Sequence, residues 1–161
     1  MRVGWGFDAH RFGGSGGVRL AGVVVDERRG LVGTSDGDVL AHAVADALLG
    51  AAALGDMGTF FPSSDPKWQG ADSMELLGTV VADVKKAGFS PEALDVTVIA
   101  QEVRVGRHRD AIRSSLAQAL GIDAAGVSVK ASTTDGMGYT GSGEGMAAVA
   151  VVTIERQTAN G

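Results

Sequence analysis

Between Thr34 and Gly55 the chain reads TSDGDVLAHAVADALLGAAALG, a pattern that fits one long helix. Val39, Leu40, Ala43, Val44, Ala47, Leu48 and Ala51 recur at helical spacing and form an apolar stripe. Ser35 is the expected N-cap, with Asp38 at the third helical position as its capping partner. Asp38, His42 and Asp46 then follow one another every four residues along the polar side. A face carrying acid, imidazole and acid is either a metal or acid–base platform or the wet edge of a core helix. Taken alone, His42 reads as a core-edge histidine, so its partners elsewhere in the chain decide the matter.

The first of those partners lie in Met1–His10. Val3, Trp5, Phe7 and Ala9 alternate with Gly4, Gly6, Asp8 and His10, the period of a strand. Asp8 and His10 therefore point the same way. A carboxylate and an imidazole two residues apart suit a divalent metal, although an isolated Asp-x-His at a strand end is commoner as a plain surface feature. With a strand carrying such residues at the start, no cleavable signal is expected ahead of it.

Further along, Val18–Val25 reads as one or two short strands broken at Gly22. Phe60 and Phe61 sit in a loop rich in Gly, Ser, Asp and Pro, tucked on the core or walling a pocket. Ser73 is the expected cap of a helix running to Lys86, with no chemistry evident on it. Leu94–Val103 alternates as a strand. Arg104, Arg107, His108, Arg109 and Arg113 then form either a phosphate-attracting helix start or a solvated basic face. Val127–Ala131 is a strand leading into Ser132-Thr133-Thr134-Asp135-Gly136, a candidate oxyanion and cation site or an ordinary hydroxyl-rich turn. Gly138–Gly145, GYTGSGEG, lacks the lysine of a P-loop. Met146–Glu155 is a closing strand.

The order β, β, α, α, β, α, β, β implies an α+β fold, one sheet backed by helices, in a single domain over 1–157 with a frayed tail at 158–161. The 161 residues suffice for one core. A net charge of −5 argues against nucleic acid. No charge-free apolar run reaches membrane-spanning length, so no membrane is expected either. There is no cysteine, which removes thiolate chemistry and fits the expected cytoplasmic, reducing location.

GFDAH at Gly6–His10, SDGDVLAHAVADALLGAAALGDMG at Ser35–Gly58, FFP at Phe60–Pro62 and GADS at Gly70–Ser73 occur in that order. They are followed by Ile99-Ala100-Gln101, Lys130–Asp135 and GYTGSGEG. Together these motifs resemble the 2-C-methyl-D-erythritol 2,4-cyclodiphosphate synthase family of non-mevalonate isoprenoid biosynthesis, over nearly the whole chain. The resemblance implies a ferredoxin-like protomer with one mixed sheet, assembled as a homotrimer with active sites between neighbours. It implies release of CMP from 4-diphosphocytidyl-2-C-methyl-D-erythritol 2-phosphate as the 2,4-cyclodiphosphate forms. Opposed phosphate charges make positioning and electrostatics the main demands of that reaction.

By the same resemblance Asp8, His10 and His42 hold Zn2+, and Asp135 serves a second divalent ion, Mg2+ or Mn2+. Thr133 and Thr34 stand at catalytic positions. Ser35, Asp56, Gly58, Phe61, Ser63, Asp65 and Tyr139 fall at substrate-contacting positions, Asp56 and Gly58 toward the ribose. Ala100, Arg104, Gly106, Ala131 and Ser132 match a cytosine pocket supplied by the adjacent subunit. The chain departs from the family pattern at several points. Thr34 replaces a histidine, Ser63 an aspartate and Ser142 an arginine, while Glu102-Val103-Arg104 replaces a Pro-Lys context and Asp135 a glutamate. Two other readings remain at this stage. One is a catalytically weakened, zinc-containing homologue that binds a nucleotide or isoprenoid phosphate. The other is a zinc hydrolase with Asp38 as base.

Overall fold

The structure is a computed structural model that describes residues 1–157; the expected tail, 158–161, lies outside the described residues. Its organising contact is between the first strand, β1 (Arg2–Gly14), and the long helix, α1 (Val39–Ala52). The strand presents Gly4 and Gly6 to the helix, not its large side chains. A methyl group on Gly4 would lie 1.9 Å from the carbonyl oxygen of Ala47, and one on Gly6 would lie 2.0 Å from that of Ala43. Glycine on the strand and alanine on the helix thus let the two backbones approach closely. Val3, Trp5 and Phe7 take the other face and are 62, 62 and 43% exposed.

Four strands flank β1 in one five-stranded sheet. With β4 (Gly30–Leu31), β5 (Phe89–Ile99), β6 (Val127–Ser132) and β7 (Gly145–Arg156), the order is β4-β1-β7-β5-β6. Every neighbouring pair is antiparallel except β5 and β6. A parallel pair needs a long crossover, supplied here by helix α4 (Arg109–Leu120), which packs on β6. Helix α3 (Ser73–Lys86) packs against α1, α4 and β5. Buried Leu94, Val96, Val98, Ala148, Ala150 and Val152 line the helix-covered face of the sheet. The α+β class with one mixed sheet backed by helices is as expected from the sequence.

Several boundaries differ from expectation, each for a local reason. The cap of α1 is Asp38, whose side chain accepts the N–H of Ala41 at 3.0 Å; Ser35 lies four residues ahead of the first helical residue. Asp38 is fully buried and also accepts N–H groups from Ala21 (3.0 Å) and Gly22 (2.7 Å). It therefore fastens the turn of the hairpin formed by β2 (Val18–Leu20) and β3 (Val23–Asp26) to the helix start. Burial pushes its carboxyl above the usual range, opposed by those three donors. Likewise Asp72, not Ser73, caps α3 by accepting the Met74 N–H. Strand β5 begins earlier than expected and stops at Ile99, because residues 100–105 turn away with Val103 and Val105 buried and Arg104 exposed. Within the glycine-rich 138–145 segment, Gly138–Gly141 forms a single helical turn, α5.

Candidate functional site

Close packing of α1 on β1 brings His42, the residue before Ala43, beside Asp8, two residues after Gly6. Asp8 Oδ2 lies 2.9 Å from His42 Nδ1 and 2.8 Å from His10 Nε2, and the two ring nitrogens are 3.3 Å apart. One potential ligand atom from each of Asp8, His10 and His42 falls within 4.8 Å of the others, and all three residues are half-buried. Among the described residues this is the group of three side chains able to hold a metal ion.

Both histidines are oriented from behind. His10 Nδ1 lies 2.7 Å from the carbonyl oxygen of Val32; a carbonyl only accepts, so Nδ1 carries a proton and Nε2 is the nitrogen turned toward Asp8. A methyl on Gly33 would come within 3.0 Å of the His10 ring, so the glycine keeps room for it. His42 Nε2 faces the hydroxyl oxygens of Ser73 (2.8 Å) and Ser35 (3.0 Å). Burial works to raise the Asp8 carboxyl, but hydrogen bonds from His10 and His42 outweigh it and hold the value at about 2. Burial works to lower His10, yet the Asp8 carboxylate overcomes this and raises it above its ordinary 6.5. An anionic oxygen and two imidazole nitrogens, converging with outward hydrogen bonds behind them, form a donor set that fits a borderline divalent cation such as Zn2+.

The other sequence-derived positions distribute over three neighbouring regions. Ala100, Arg104, Gly106, Ala131, Ser132 and Thr133 come together around a groove of about 410 Å3. It lies between the loop after β5 and the end of β6, and it does not include the Asp8–His10–His42 group. Asp135 follows on the turn beyond β6, exposed and in left-handed conformation (φ 52°), with its N–H 3.4 Å from Thr133 Oγ1.

Asp56, Gly58 and Phe61 belong to the short helix α2 (Met57–Phe60) and its ends. Asp46, one turn beyond His42 on α1, accepts the Met57 N–H at 3.1 Å and ties this segment to the platform. Thr59 donates from both Oγ1 and N to Asp56, holding that carboxyl below its ordinary value. Phe61 meets Trp68 edge-on, with centroids 4.9 Å apart. Ser63 and Asp65 lie in the same loop, where Asp65 caps a short turn by accepting the Lys67 N–H. Thr34 and Ser35 lead into α1; the Thr34 carbonyl accepts the Gly70 N–H at 2.7 Å. Tyr139 lies apart from the groove, with His10, Arg11 and Glu144 around a smaller cavity. Ser73, Asp36, Val32 and Gly33, all absent from the sequence-derived set, line the back of the histidines.

Fold and site together define a mixed-sheet α+β protein with a three-residue group able to hold a metal ion. Comparison with known proteins makes the assignment particular. A family model described as "YgbB family" matches residues 1–155, and the chain belongs to that family, the 2-C-methyl-D-erythritol 2,4-cyclodiphosphate synthases. A relative of that name from Salinibacter ruber is 50% identical over 155 residues, covering 96% of this chain and 99% of its own. One from Vibrio vulnificus is 48% identical over 157 residues, covering 98% and 99%. Among solved structures, the bifunctional IspDF of Campylobacter jejuni superposes with a TM-score of 0.93 at 41% identity; the match covers 96% of this chain and 42% of that one. A CDP complex of IspF from Plasmodium falciparum superposes with a TM-score of 0.84 at 26% identity, covering 98% and 97%.

Proposed function

We infer that this chain cyclises 4-diphosphocytidyl-2-C-methyl-D-erythritol 2-phosphate to 2-C-methyl-D-erythritol 2,4-cyclodiphosphate and releases CMP, a step of isoprenoid biosynthesis. The observation that carries the reading is the convergence of Asp8, His10 and His42 in a chain half identical to proteins of that name over almost their full length.

In the reaction an oxygen of the 2-phosphate forms a bond to the β-phosphorus. The bond from that phosphorus to the bridging oxygen breaks, and its electron pair leaves with CMP. The obstacle is repulsion between anionic groups, so the protein must fold the substrate back on itself and neutralise its oxygens. Asp8, His10 and His42 hold Zn2+, which supplies Lewis-acid neutralisation of phosphate charge when bound. The Asp135 carboxylate provides for a second divalent ion, Mg2+ or Mn2+. The Thr133 hydroxyl, exposed at the end of β6, donates to the diphosphate. Ala100, Arg104, Gly106, Ala131 and Ser132 hold the cytosine, with Arg104 supplying positive charge to a groove that Arg107 and Gln101 also line. Asp56 and Gly58 hold the ribose. Phe61, Ser63 and Asp65 border the erythritol, and Thr34, Ser35 and Tyr139 complete the surroundings of the reacting phosphates.

The separation of groove and metal group within one protomer supports an active site shared between neighbours. So does the uncovered face of the sheet. Val3, Trp5 and Phe7 pair in register with Thr153, Val151 and Val149, and Trp5 stacks on Phe7 at 6.2 Å between centroids. An exposed apolar face of this kind suits burial against further copies, and we assign it to a homotrimer interface. No described helix is long and apolar enough to cross a membrane, and a cytoplasmic location is part of the reading. CMP release with Zn2+ and Mg2+, measured beside His42→Ala, tests the assignment. Release by the parent protein that is lost in the variant supports it; tight CDP binding without release refutes it and leaves the binding-protein alternative.

A further inference from the structure

We propose that Asp36 and Ser73 form a relay behind His42 that dictates which of its ring nitrogens is free to bind the cation. The proposal rests on the metal reading of Asp8, His10 and His42 given above. A carboxylate offers no proton, so every hydrogen bond at Asp36 must be donated to it. Its Oδ2 receives the Ser73 N–H at 3.2 Å; its Oδ1 receives the Asp38 N–H at 3.1 Å and the Ser73 hydroxyl. The single hydroxyl proton of Ser73 is thereby committed to Asp36.

Ser73 Oγ also lies 2.8 Å from His42 Nε2. With its proton pointed at Asp36, that oxygen can only accept there. When a cation takes the Nδ1 lone pair, Nε2 carries the imidazole proton and donates it to that oxygen, so the relay favours binding through Nδ1. Nδ1 is the nitrogen that faces Asp8 Oδ2 at 2.9 Å and His10 Nε2 at 3.3 Å. Ser35 Oγ also lies 3.0 Å from the same Nε2 and 3.2 Å from Ser73 Oγ. His10 reaches the equivalent state through the Val32 carbonyl. The two histidine ligands are thus set by different devices, one a backbone acceptor and the other a two-residue relay.

Two features separate this role from ordinary helix capping. The cap of α3 is Asp72, so the Ser73 hydroxyl is not needed for that purpose. Ser73 is also only 1% exposed, and hydrogen bonds from the Asp36 N–H to the Ala71 carbonyl (3.0 Å) and from Gly70 to Thr34 (2.7 Å) pin the two segments together. The relay is held by backbone on both sides. Ser73 and Asp36 are positioning residues that act through His42.

The experiment uses the full chain, with Zn2+ itself as the probe. Zn2+ affinity is measured by chelator competition for the parent protein and for Ser73→Ala, Asp36→Asn and His42→Ala. Histidine side-chain nitrogen spectra of the Zn2+-loaded protein are recorded. The parent protein should show His42 bound through Nδ1 with its proton on Nε2. Ser73→Ala should bind Zn2+ about 10- to 100-fold more weakly with unchanged circular dichroism. Asp36→Asn keeps the shape but introduces an amide donor, so it too should weaken Zn2+ binding; it also serves if Ser73→Ala fails to fold. Binding of Zn2+ through His42 Nε2 in the parent protein overturns the proposal. So does Zn2+ affinity within about twofold of the parent in both relay variants while His42→Ala loses binding. Undiminished affinity in His42→Ala overturns the metal reading itself, and the relay with it.

Discussion

Gly6→Ala should damage the metal group by forcing α1 away from the strand that carries Asp8 and His10. The added methyl would lie 2.0 Å from the Ala43 carbonyl oxygen and 2.6 Å from the Ala47 nitrogen. Real contacts of this kind essentially never fall below 3.0 Å, so α1 must retreat from β1 by at least about 1 Å. The obstructing atoms are backbone, so no side-chain rotation relieves the clash. His42 adjoins Ala43, and the retreat widens the 2.9 Å approach of His42 to Asp8. Zinc–ligand distances tolerate only about 0.2 Å of deviation, so Zn2+ affinity should fall by at least about tenfold. Overpacking of this type costs about 1–3 kcal/mol. For a chain of this size that corresponds to a Tm lower by about 2–12 °C. Gly50→Ala is the matched control: Gly50 lies within α1 and its added methyl meets nothing within 4 Å. It should stabilise by about 0.5–1 kcal/mol and leave Zn2+ binding unchanged. Thermal unfolding and chelator competition read both variants. A Gly6→Ala protein with parental Tm and parental Zn2+ affinity would refute the close-packing account.

The metal-free protein should be most stable, so far as this group decides, between about pH 4 and 6.5. Asp8 is held at about 2 against an ordinary 3.8, so its contribution is present above the ordinary value and lost as pH falls toward 2. His10 is raised above 6.5, so its contribution is complete below 6.5 and lost as pH rises through the raised value; urea midpoints across pH check both limbs. Trp5→Glu should convert the proposed homotrimer to monomers in sedimentation velocity, because it places a carboxylate on the uncovered sheet face; a trimer unchanged by the substitution would remove that face from the interface. Thr34→His should raise turnover in steady-state assays by restoring a cationic group near the phosphates, and an unchanged or lower rate would show that the departure carries no weight.

Sequence periodicity made the framework legible. The apolar stripe of α1, the alternation in β1 and the strand before Thr133 each follow from spacing alone; spacing put Asp8 and His10 on one strand face and His42 on the polar side of α1, but only the family resemblance joined the three as ligands. The boundaries were harder. Ser35 and Asp38 both suit a cap, and the choice is settled by a fully buried Asp38 that also serves Ala21 and Gly22. The face of β1 that enters the core inverts simple hydrophobicity, since Gly4 and Gly6 are buried and Trp5 is not. The signal was present as glycines alternating in the strand and alanines four apart in the helix. Ser73 lies 31 residues from His42 and Asp36 lies 37 from Ser73. Nothing local in sequence joins them, because tertiary packing of α3 on α1 creates the contact.

The most direct measurement of the central claim follows a single incubation by phosphorus NMR. The 4-diphosphocytidyl-2-C-methyl-D-erythritol 2-phosphate substrate is mixed with the protein, Zn2+ and Mg2+, and the phosphorus resonances of all products are integrated. CMP and the cyclic 2,4-diphosphate should appear in equal amounts, with neither formed by His42→Ala. CMP appearing with a linear product would mean hydrolysis, and persistence of the substrate beside tight CDP binding would mean a binding protein; either result contradicts the account.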